Sequence, residues 1–249
     1  MTEPHAEAAP NPNELVALRG EAKRDHIRTL FDKLAPQYDQ LNLVISLGQT
    51  TWWRTRALKA LALQPGQRLL DIGTGTGWVV QYLAKRFPQA ELEGTDLAPQ
   101  MLVEARKIDP DHRYFEADVC ALPCEDASYD VVTTVFTSRN FPQLEQSVAE
   151  MMRVLKPGGQ LLVLDSFPPK EGSLWGGLQK LWMGTIVPIL VRPFADPQSY
   201  RYLAQSIANH VTPDELAALC RAHGASDVSV TSYSFGSATR VMATKAAAS

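Results

Sequence analysis

Residues 69–77 read LLDIGTGTG. A short apolar run that ends in glycines and passes into a helical pattern predicts a strand, a tight turn and a helix. Glycine lets the backbone approach a ligand at the carboxyl edge of a parallel sheet, where doubly wound folds bind cofactors. Glycine also ends strands for purely structural reasons, so the turn alone leaves both interpretations open. We expect a ligand to lie over it.

Strand-like and helix-like segments alternate on both sides of this turn. The predicted strands are 68–73, 91–96, 113–118, 129–136, 160–167, 227–235 and 239–245. The predicted helices are 22–34, 51–63, 77–87, 99–108 and 143–155, with a further helix opened by Thr212-Pro213-Asp214-Glu215. This alternation is typical of a parallel sheet with helices on both faces. We therefore predict an α/β, doubly wound, Rossmann-like fold with a seven-stranded, mostly parallel sheet.

The segments outside this alternation predict the organisation of the chain. Residues 1–20 are polar and contain proline, which is typical of a flexible N-terminal arm. We expect a single domain over residues 21–249, with an N-terminal helical cap at 21–64 and a helical lid insertion after strand five at 170–208. The N-terminus lacks the basic and apolar stretches of a signal peptide, so we expect a cytoplasmic protein.

The most apolar region is residues 173–194, which contains Pro188. Its uninterrupted apolar run is far shorter than the roughly 20 residues that span a bilayer, so it is not a transmembrane helix. A core or oligomer element is the ordinary interpretation of such a stretch. A groove for a greasy ligand is the alternative.

Composition excludes several classes of function. The formal charge is −3 and basic residues never form a run longer than two, so we expect no nucleic-acid partner. The three cysteines match neither a disulfide framework nor a zinc spacing, and we predict no metal site: Cys120, Cys124 and Cys220. Four histidines without clustered partners are interpreted as surface or core residues: His26, His112, His210 and His223.

Acidic residues at the strand ends indicate which cofactor the turn holds. Asp96 ends the second predicted strand, where a carboxylate can accept both hydroxyls of a ribose, and Asp118 could meet an adenine amino group. A dinucleotide site needs a small residue at position 78, but Trp78 stands there. Asp71 precedes the glycines and suits a cationic amino-acid cofactor better than a diphosphate. Asp71 and Asp118 could instead simply cap helices or turns.

Three separated motifs resemble one family of class I S-adenosylmethionine-dependent methyltransferases, the ubiquinone/menaquinone-biosynthesis C-methyltransferases. YDQLNLVISLGQTTWWR at 38–54 resembles its signature through Tyr38, Asp39, Asn42, Ser46, Gly48, Trp53 and the basic Arg54. RVLKPGG at 153–159 and YRYLAQSI at 200–207 resemble two further stretches of the same family. In addition to these three motifs, FTSRN at 136–140 resembles the shorter F-G-L-R-N pattern.

The resemblance implies methyl transfer from S-adenosylmethionine to a ring carbon of a polyprenylated quinol. It implies cofactor contacts at Asp71, Gly73, Gly75, Thr76, Asp96, Leu97, Asp118 and Val119. It also implies catalytic roles for Arg139, Asn140, Tyr38 and Asn42, with Arg139 stabilising a developing phenolate or orienting a water. A homodimer, a position at the inner membrane face and peripheral membrane contact through residues 173–194 are left open.

Each catalytic candidate also has an ordinary interpretation. Arg139 could form a salt bridge with Asp165 or Glu150, while Tyr38 and Trp53 could be core aromatics.

The chain departs from the family pattern at Thr50, Ser138 and Asp165, where the family has histidine, leucine and glutamate. These changes fall on the acceptor side, so methyl transfer is predicted more firmly than the acceptor. The alternatives are a methyltransferase for another hydrophobic small molecule, a divergent quinone-modifying enzyme that uses S-adenosylmethionine, and a non-catalytic scaffold subunit.

Overall fold

A computed structural model of the 249-residue chain describes residues 18, 20–38, 40, 43, 46, 48–169, 177, 185 and 197–247. The strands are β1 Arg68–Ile72, β2 Glu91–Asp96, β3 Arg113–Glu116, β4 Tyr129–Val135, β5 Leu155–Asp165, β6 Ala225–Tyr233 and β7 Ala238–Lys245. The α-helices are α1 Gly20–Leu34, α2 Gln49–Leu58, α3 Trp78–Arg86, α4 Pro99–Ile108, α5 Leu144–Val154, α6 Pro197–Ala208 and α7 Pro213–Ala222. Short 3₁₀ turns cover Ala35–Gln37, Ser138–Asn140 and Ser234–Gly236.

The seven strands form one sheet in the order β3-β2-β1-β4-β5-β7-β6. The first five strands in this order pair in parallel, and β7 runs antiparallel between β5 and β6. The chain winds outward in one direction from β1 to β3 and in the other from β4 onward, so a crevice opens between β1 and β4. The prediction of a doubly wound, seven-stranded, mostly parallel sheet is confirmed.

Helices cover both faces of the sheet. Successive residues of the central strands point to opposite faces and pack against different helices. Leu69 and Val131 pack into the core with helices α3 and α4, while the neighbouring Leu70 and Val132 pack into the core with α5 and α7. Burial on both faces explains why these strands read as nearly continuous apolar runs rather than as alternating ones.

Element boundaries differ from the predictions at several positions. Helix α2 ends at Leu58 instead of residue 63, because the amides of Ala60 and Leu61 bond to carbonyls three residues back and tighten the last turn. Strand β3 ends at Glu116, which leaves Asp118 in the following turn. Strand β5 begins at Leu155, five residues earlier than predicted. The register of its pairing with β4 shifts between Leu155 and Gln160.

Some predictions fall wholly or partly outside the described residues. Most of the predicted arm (1–20) and most of the predicted lid insertion (170–208) lie there, although α6 is the end of that insertion. Within the described residues, no helix has the combination of length and apolarity that crossing a bilayer requires.

The turn after β1 is a run of left-handed backbone. Gly73, Gly75 and Gly77 have φ of +67°, +56° and +79°. A Cβ at Gly73 would overlap the side chain of Thr137, and one at Gly77 would lie 2.6 Å from the hydroxyl oxygen of Tyr114. Both the backbone conformation and the close approach therefore require glycine.

We predict that Gly77→Ala lowers the free energy of unfolding by about 3 kcal/mol or more, because backbone strain adds to a clash with Tyr114. Gly66→Ala is the matched control, since Gly66 has a similar φ of +76° and nothing within 4 Å of its added Cβ. It should cost only about 1 kcal/mol. Urea denaturation of both variants measures the difference, and equal losses would show that the contact with Tyr114 is unimportant.

Candidate active site

A cleft opens at the carboxyl ends of the parallel strands, over the glycine turn. Most residues predicted to bind the cofactor line it: Gly73, Gly75, Asp96, Leu97, Asp118 and Val119. A smaller cavity adjoins the cleft and is lined by Asp71 and Thr76. The two spaces share Tyr38, Gly73 and Gly75. All eight residues predicted for the cofactor are thus brought together.

Asp96 is held in place at the end of β2 by the glycine turn. One carboxylate oxygen accepts a hydrogen bond from the Gly75 amide at 2.8 Å, and the other accepts one from the Ala98 amide at 2.9 Å. Burial raises the pKa of Asp96, and these backbone hydrogen bonds oppose the rise. The carboxylate remains half-buried and faces the cleft, where it can accept hydrogen bonds from a pair of hydroxyl groups.

Asp118 lies farther along the same cleft. Its Oδ1 accepts a hydrogen bond from the Cys120 amide at 2.9 Å, so it does cap a turn. Its Oδ2 lies 4.0 Å from an Arg24 nitrogen. The adjacent Val119 is buried, as expected for an apolar wall beside a planar ring. An acceptor next to such a wall suits an aromatic base that carries an amino group.

Asp71 is only 1% exposed beneath the turn. Its Oδ1 accepts a hydrogen bond from the Thr133 hydroxyl at 2.7 Å. Burial raises the pKa of Asp71 to about 7, against the lowering effects of this hydrogen bond and of the positive charge of Arg54. A cation placed in the smaller cavity would favour the ionised carboxylate.

The predicted catalytic residues do not all face one space. Tyr38 lines both the cleft and the smaller cavity. Asn140 is 3% exposed at the cleft wall, where its amide oxygen accepts a hydrogen bond from the Tyr202 hydroxyl at 3.3 Å. Arg139 instead lines a neighbouring groove. Asn42 lies outside the described residues.

The Arg139 guanidinium forms a buried ion pair. Its Nη1 lies 2.6 Å from Asp165 Oδ1 and donates to the Phe136 carbonyl at 2.7 Å. The Asp165 side chain is fully buried. Burial works against its ionisation, but the charge of Arg139 and several hydrogen bonds hold the pKa of Asp165 below its ordinary value. Glu150, the other candidate partner, pairs with Arg153.

His210 joins this ion pair through Ser138. The Ser138 hydroxyl donates to Asp165 at 2.7 Å and lies 3.1 Å from Nε2 of His210. The His210 ring stacks on Phe167 with a centroid separation of 4.8 Å, and burial lowers its pKa. His210 thus has polar and aromatic partners that the sequence did not indicate. They lie 43 or more positions away in sequence, so no local pattern could indicate them.

Trp53 and Arg54 follow one another on α2. The Trp53 indole nitrogen donates to the Ser234 hydroxyl at 2.9 Å, and Trp53 is buried, as its core interpretation predicts. Arg54 is also buried and lines the smaller cavity, with its guanidinium carbon 5.2 Å from the centroid of Trp78. The sequence motif marked Arg54 only as a basic position and gave it no role.

A model of the ubiE/COQ5 methyltransferase family matches residues 19–245. The chain belongs to this family. It is 40% identical over 208 residues to a demethylmenaquinone methyltransferase of Deinococcus radiodurans, covering 81% of this chain and 86% of the relative. It is 38% identical over 200 residues to a demethylmenaquinone methyltransferase of Thermus thermophilus, covering 78% and 90%.

A solved structure of a SAM-dependent methyltransferase from Thermotoga maritima shares the fold. It superimposes with a TM-score of 0.64 at 22% identity, over 87% of this chain and 99% of that chain. The family resemblance and the methyltransferase class predicted from the motifs are confirmed.

We predict that Arg139→Met lowers the free energy of unfolding by about 3 kcal/mol or more, because it leaves the Asp165 carboxylate buried and uncompensated. The matched control is Arg28→Met, which breaks a pair with Glu116 whose side chains are each 45% exposed. It should cost less than about 1 kcal/mol. Denaturant unfolding near neutral pH measures both, and similar small losses would contradict a structural role for the Arg139 pair.

Proposed function

We propose that this chain is an S-adenosylmethionine-dependent C-methyltransferase that acts on a polyprenylated quinol, with demethylmenaquinol as its first candidate acceptor. The names of its relatives support the acceptor class. The observation that carries the proposal is the continuity of the Asp96 and Asp118 cleft with the buried acidic cavity at Asp71. A ubiquinol precursor is the alternative acceptor.

The residues of both spaces fit the chemical groups of S-adenosylmethionine. Asp118 and Val119 suit the adenine, and Asp96 suits the ribose hydroxyls. Asp71 suits the cationic amino-acid end. Arg54 adds a buried Nε that has no hydrogen-bond partner among the described residues, as expected where a ligand supplies the acceptor.

The cap supplies one wall of the cleft. Ile27, Phe31 and Tyr38, which all lie before β1, line the cleft opposite the sheet. We propose that residues 21–64 act as this cap. It separates the reacting groups from water and positions Tyr38 at the junction of the two spaces.

The cofactor supplies an electrophilic methyl group on a sulfonium. The cleft offers an apolar surface for the acceptor ring, including Ile27, Met101 and Phe141. Charge disappears when a phenolate attacks a sulfonium, so a water-poor apolar wall favours the transition state over the separated ions. We propose that the proton of the quinol hydroxyl passes to solvent through Tyr38, which gives up its own proton as it accepts one, or through a water next to it. After methyl transfer, the hydrogen on the methylated ring carbon is lost as a proton and the quinol re-forms.

Asn140 and Arg139 take different parts in this proposal. Asn140 faces the cleft and is the amide available to orient the acceptor oxygen. Arg139 pairs with Asp165 and holds the Ser138–Asn140 turn, which fixes the position of Asn140. The predicted role of Arg139 in phenolate stabilisation requires its guanidinium to leave Asp165.

Several features stay predictions. They are the catalytic role of Asn42, a homodimer, a cytoplasmic location at the inner membrane face, and membrane contact through residues 173–194.

Incubation of the purified protein with S-adenosylmethionine and each reduced acceptor tests the function. We expect demethylmenaquinol to give a product heavier by one methyl group, detected by mass spectrometry, and the demethylated ubiquinol precursor to give less. Cofactor binding without a product from either quinol would contradict the proposal. Turnover of simple phenols alone would favour another hydrophobic substrate, and binding without any turnover would favour a scaffold.

We predict that the affinity for S-adenosylhomocysteine rises between about pH 6 and about pH 7.5. Asp71 has a folded pKa of about 7 against an ordinary value of 3.8, so the folding stability of the free protein falls as pH rises from about 4 to about 7. The ionised fraction of Asp71 in the free folded protein rises around pH 7. A bound ammonium favours the ionised form, and binding below about pH 7 must therefore first release the Asp71 proton.

Calorimetric titration over this pH range measures the effect, together with the protons released in buffers of different ionisation enthalpy. Asp71→Asn is the matched control because its amide oxygen can still accept the Thr133 hydrogen bond. It should remove most of the pH dependence. An unchanged pH profile in this variant would show that Asp71 does not face the cofactor.

A further inference from the structure

Arg54 is a buried cation that has no ion pair within the described residues. It is 8% exposed on α2, and within the described part of the chain its guanidinium forms neither a hydrogen bond nor an ion pair. Its guanidinium carbon lies over two aromatic rings, 5.2 Å from the centroid of Trp78 and 6.0 Å from that of Phe136. Arg139, by contrast, forms an ion pair with Asp165 and donates a hydrogen bond to the Phe136 carbonyl. An unpaired buried charge is costly, so its presence calls for a function.

The position of Arg54 indicates what it meets. It lines the smaller cavity together with Asp71, Gly75 and Thr76. Burial raises the pKa of Asp71 and the positive charge of Arg54 opposes that rise, although no hydrogen bond joins the two side chains. The cavity therefore holds a carboxyl group and a guanidinium that are close in space, and the guanidinium Nε has no hydrogen-bond partner among the described residues. A ligand that carries both an ammonium and a carboxylate would match these two groups.

The amino-acid end of a sulfonium cofactor carries one carboxylate and one ammonium group. The cleft suits the adenosine half through Asp96 and Asp118, so the amino-acid half extends past Gly75 into the smaller cavity. Arginine presents two parallel N–H donors that match a carboxylate, and the contact with the Trp78 ring does not use them.

We propose that Arg54 binds the carboxylate of the amino-acid end of S-adenosylmethionine while Asp71 faces its ammonium. This inference rests on the proposed function, because it assumes that cofactor. It also gives the 38–54 segment a second role. Helix α2 carries both Trp53, which donates a hydrogen bond to Ser234, and Arg54, which lines the smaller cavity. The cap would therefore contribute to cofactor binding as well as to the acceptor site.

Two ligands and three variants test this assignment by calorimetry. S-adenosylhomocysteine carries the amino-acid end, whereas 5′-methylthioadenosine lacks both its carboxylate and its ammonium. We expect Arg54→Met to weaken S-adenosylhomocysteine binding by about 10- to 100-fold and 5′-methylthioadenosine binding by less than about 3-fold. The affinity of Arg54→Lys for S-adenosylhomocysteine should lie between those of wild type and Arg54→Met, because lysine keeps the positive charge but lacks the two parallel N–H donors of arginine.

Arg56→Met is the matched control, since Arg56 lies on the same helix but is exposed. It should leave both affinities unchanged. The melting temperature distinguishes a ligand-binding role of Arg54 from a structural one, because loss of a structural role would lower it. Ligand-free Arg54→Met should melt no lower than wild type, because an uncompensated buried charge has been removed. Its stabilisation by S-adenosylhomocysteine should shrink.

Equal losses of affinity for the two ligands, or a lower melting temperature of ligand-free Arg54→Met, would overturn the assignment. Equal affinities of wild type and Arg54→Met for S-adenosylhomocysteine would also overturn it, while leaving the proposed methyl transfer intact. Failure of the wild-type protein to bind S-adenosylhomocysteine would instead overturn both proposals.

Discussion

The left-handed backbone at Gly73, Gly75 and Gly77 is the constraint on which both the fold and the site depend. The turn passes so close to Thr137 and Tyr114 that Gly73 and Gly77 have no room for a side chain. The amide of Gly75 donates to Asp96, which ties the end of β1 to the end of β2. One local conformation thus joins neighbouring strands and forms the floor of the cleft.

Arg139 and Arg54 both have little exposure to solvent, but they differ in the partners of their guanidinium groups. Arg139 is neutralised by Asp165, and the pair is locked by Ser138, which is what a structural ion pair requires. Arg54 lies in a cavity beside Asp71 and has no hydrogen bond or ion pair in the described part of the chain. We infer that the charged groups around the turn are arranged for a ligand, whereas those behind the Ser138–Asn140 turn pair with each other.

Much of this architecture could be predicted from the sequence. The parallel strands are short apolar runs, and the glycine turn brings Asp71 and Asp96 to one edge, so local pattern was enough. Helix α2 was predicted too long because Leu61 and Leu63 continue the helical spacing but are buried from a loop. Three other features depend on packing between distant segments, which no local pattern records. They are the pairing of Arg139 with Asp165, the Ser138–Asp165–His210 cluster, and the lack of a hydrogen-bond partner for the Arg54 Nε among the described residues.

The central claim is that one cofactor molecule lies across the glycine turn, with its adenosine over Asp96 and Asp118 and its amino-acid end between Asp71 and Arg54. A crystal structure of the protein with S-adenosylhomocysteine tests this most directly. We predict that the ligand carboxylate accepts two hydrogen bonds of about 2.9 Å from the Arg54 guanidinium. A ligand whose amino-acid end points away from Asp71 and Arg54, or that binds outside the cleft, would contradict the account.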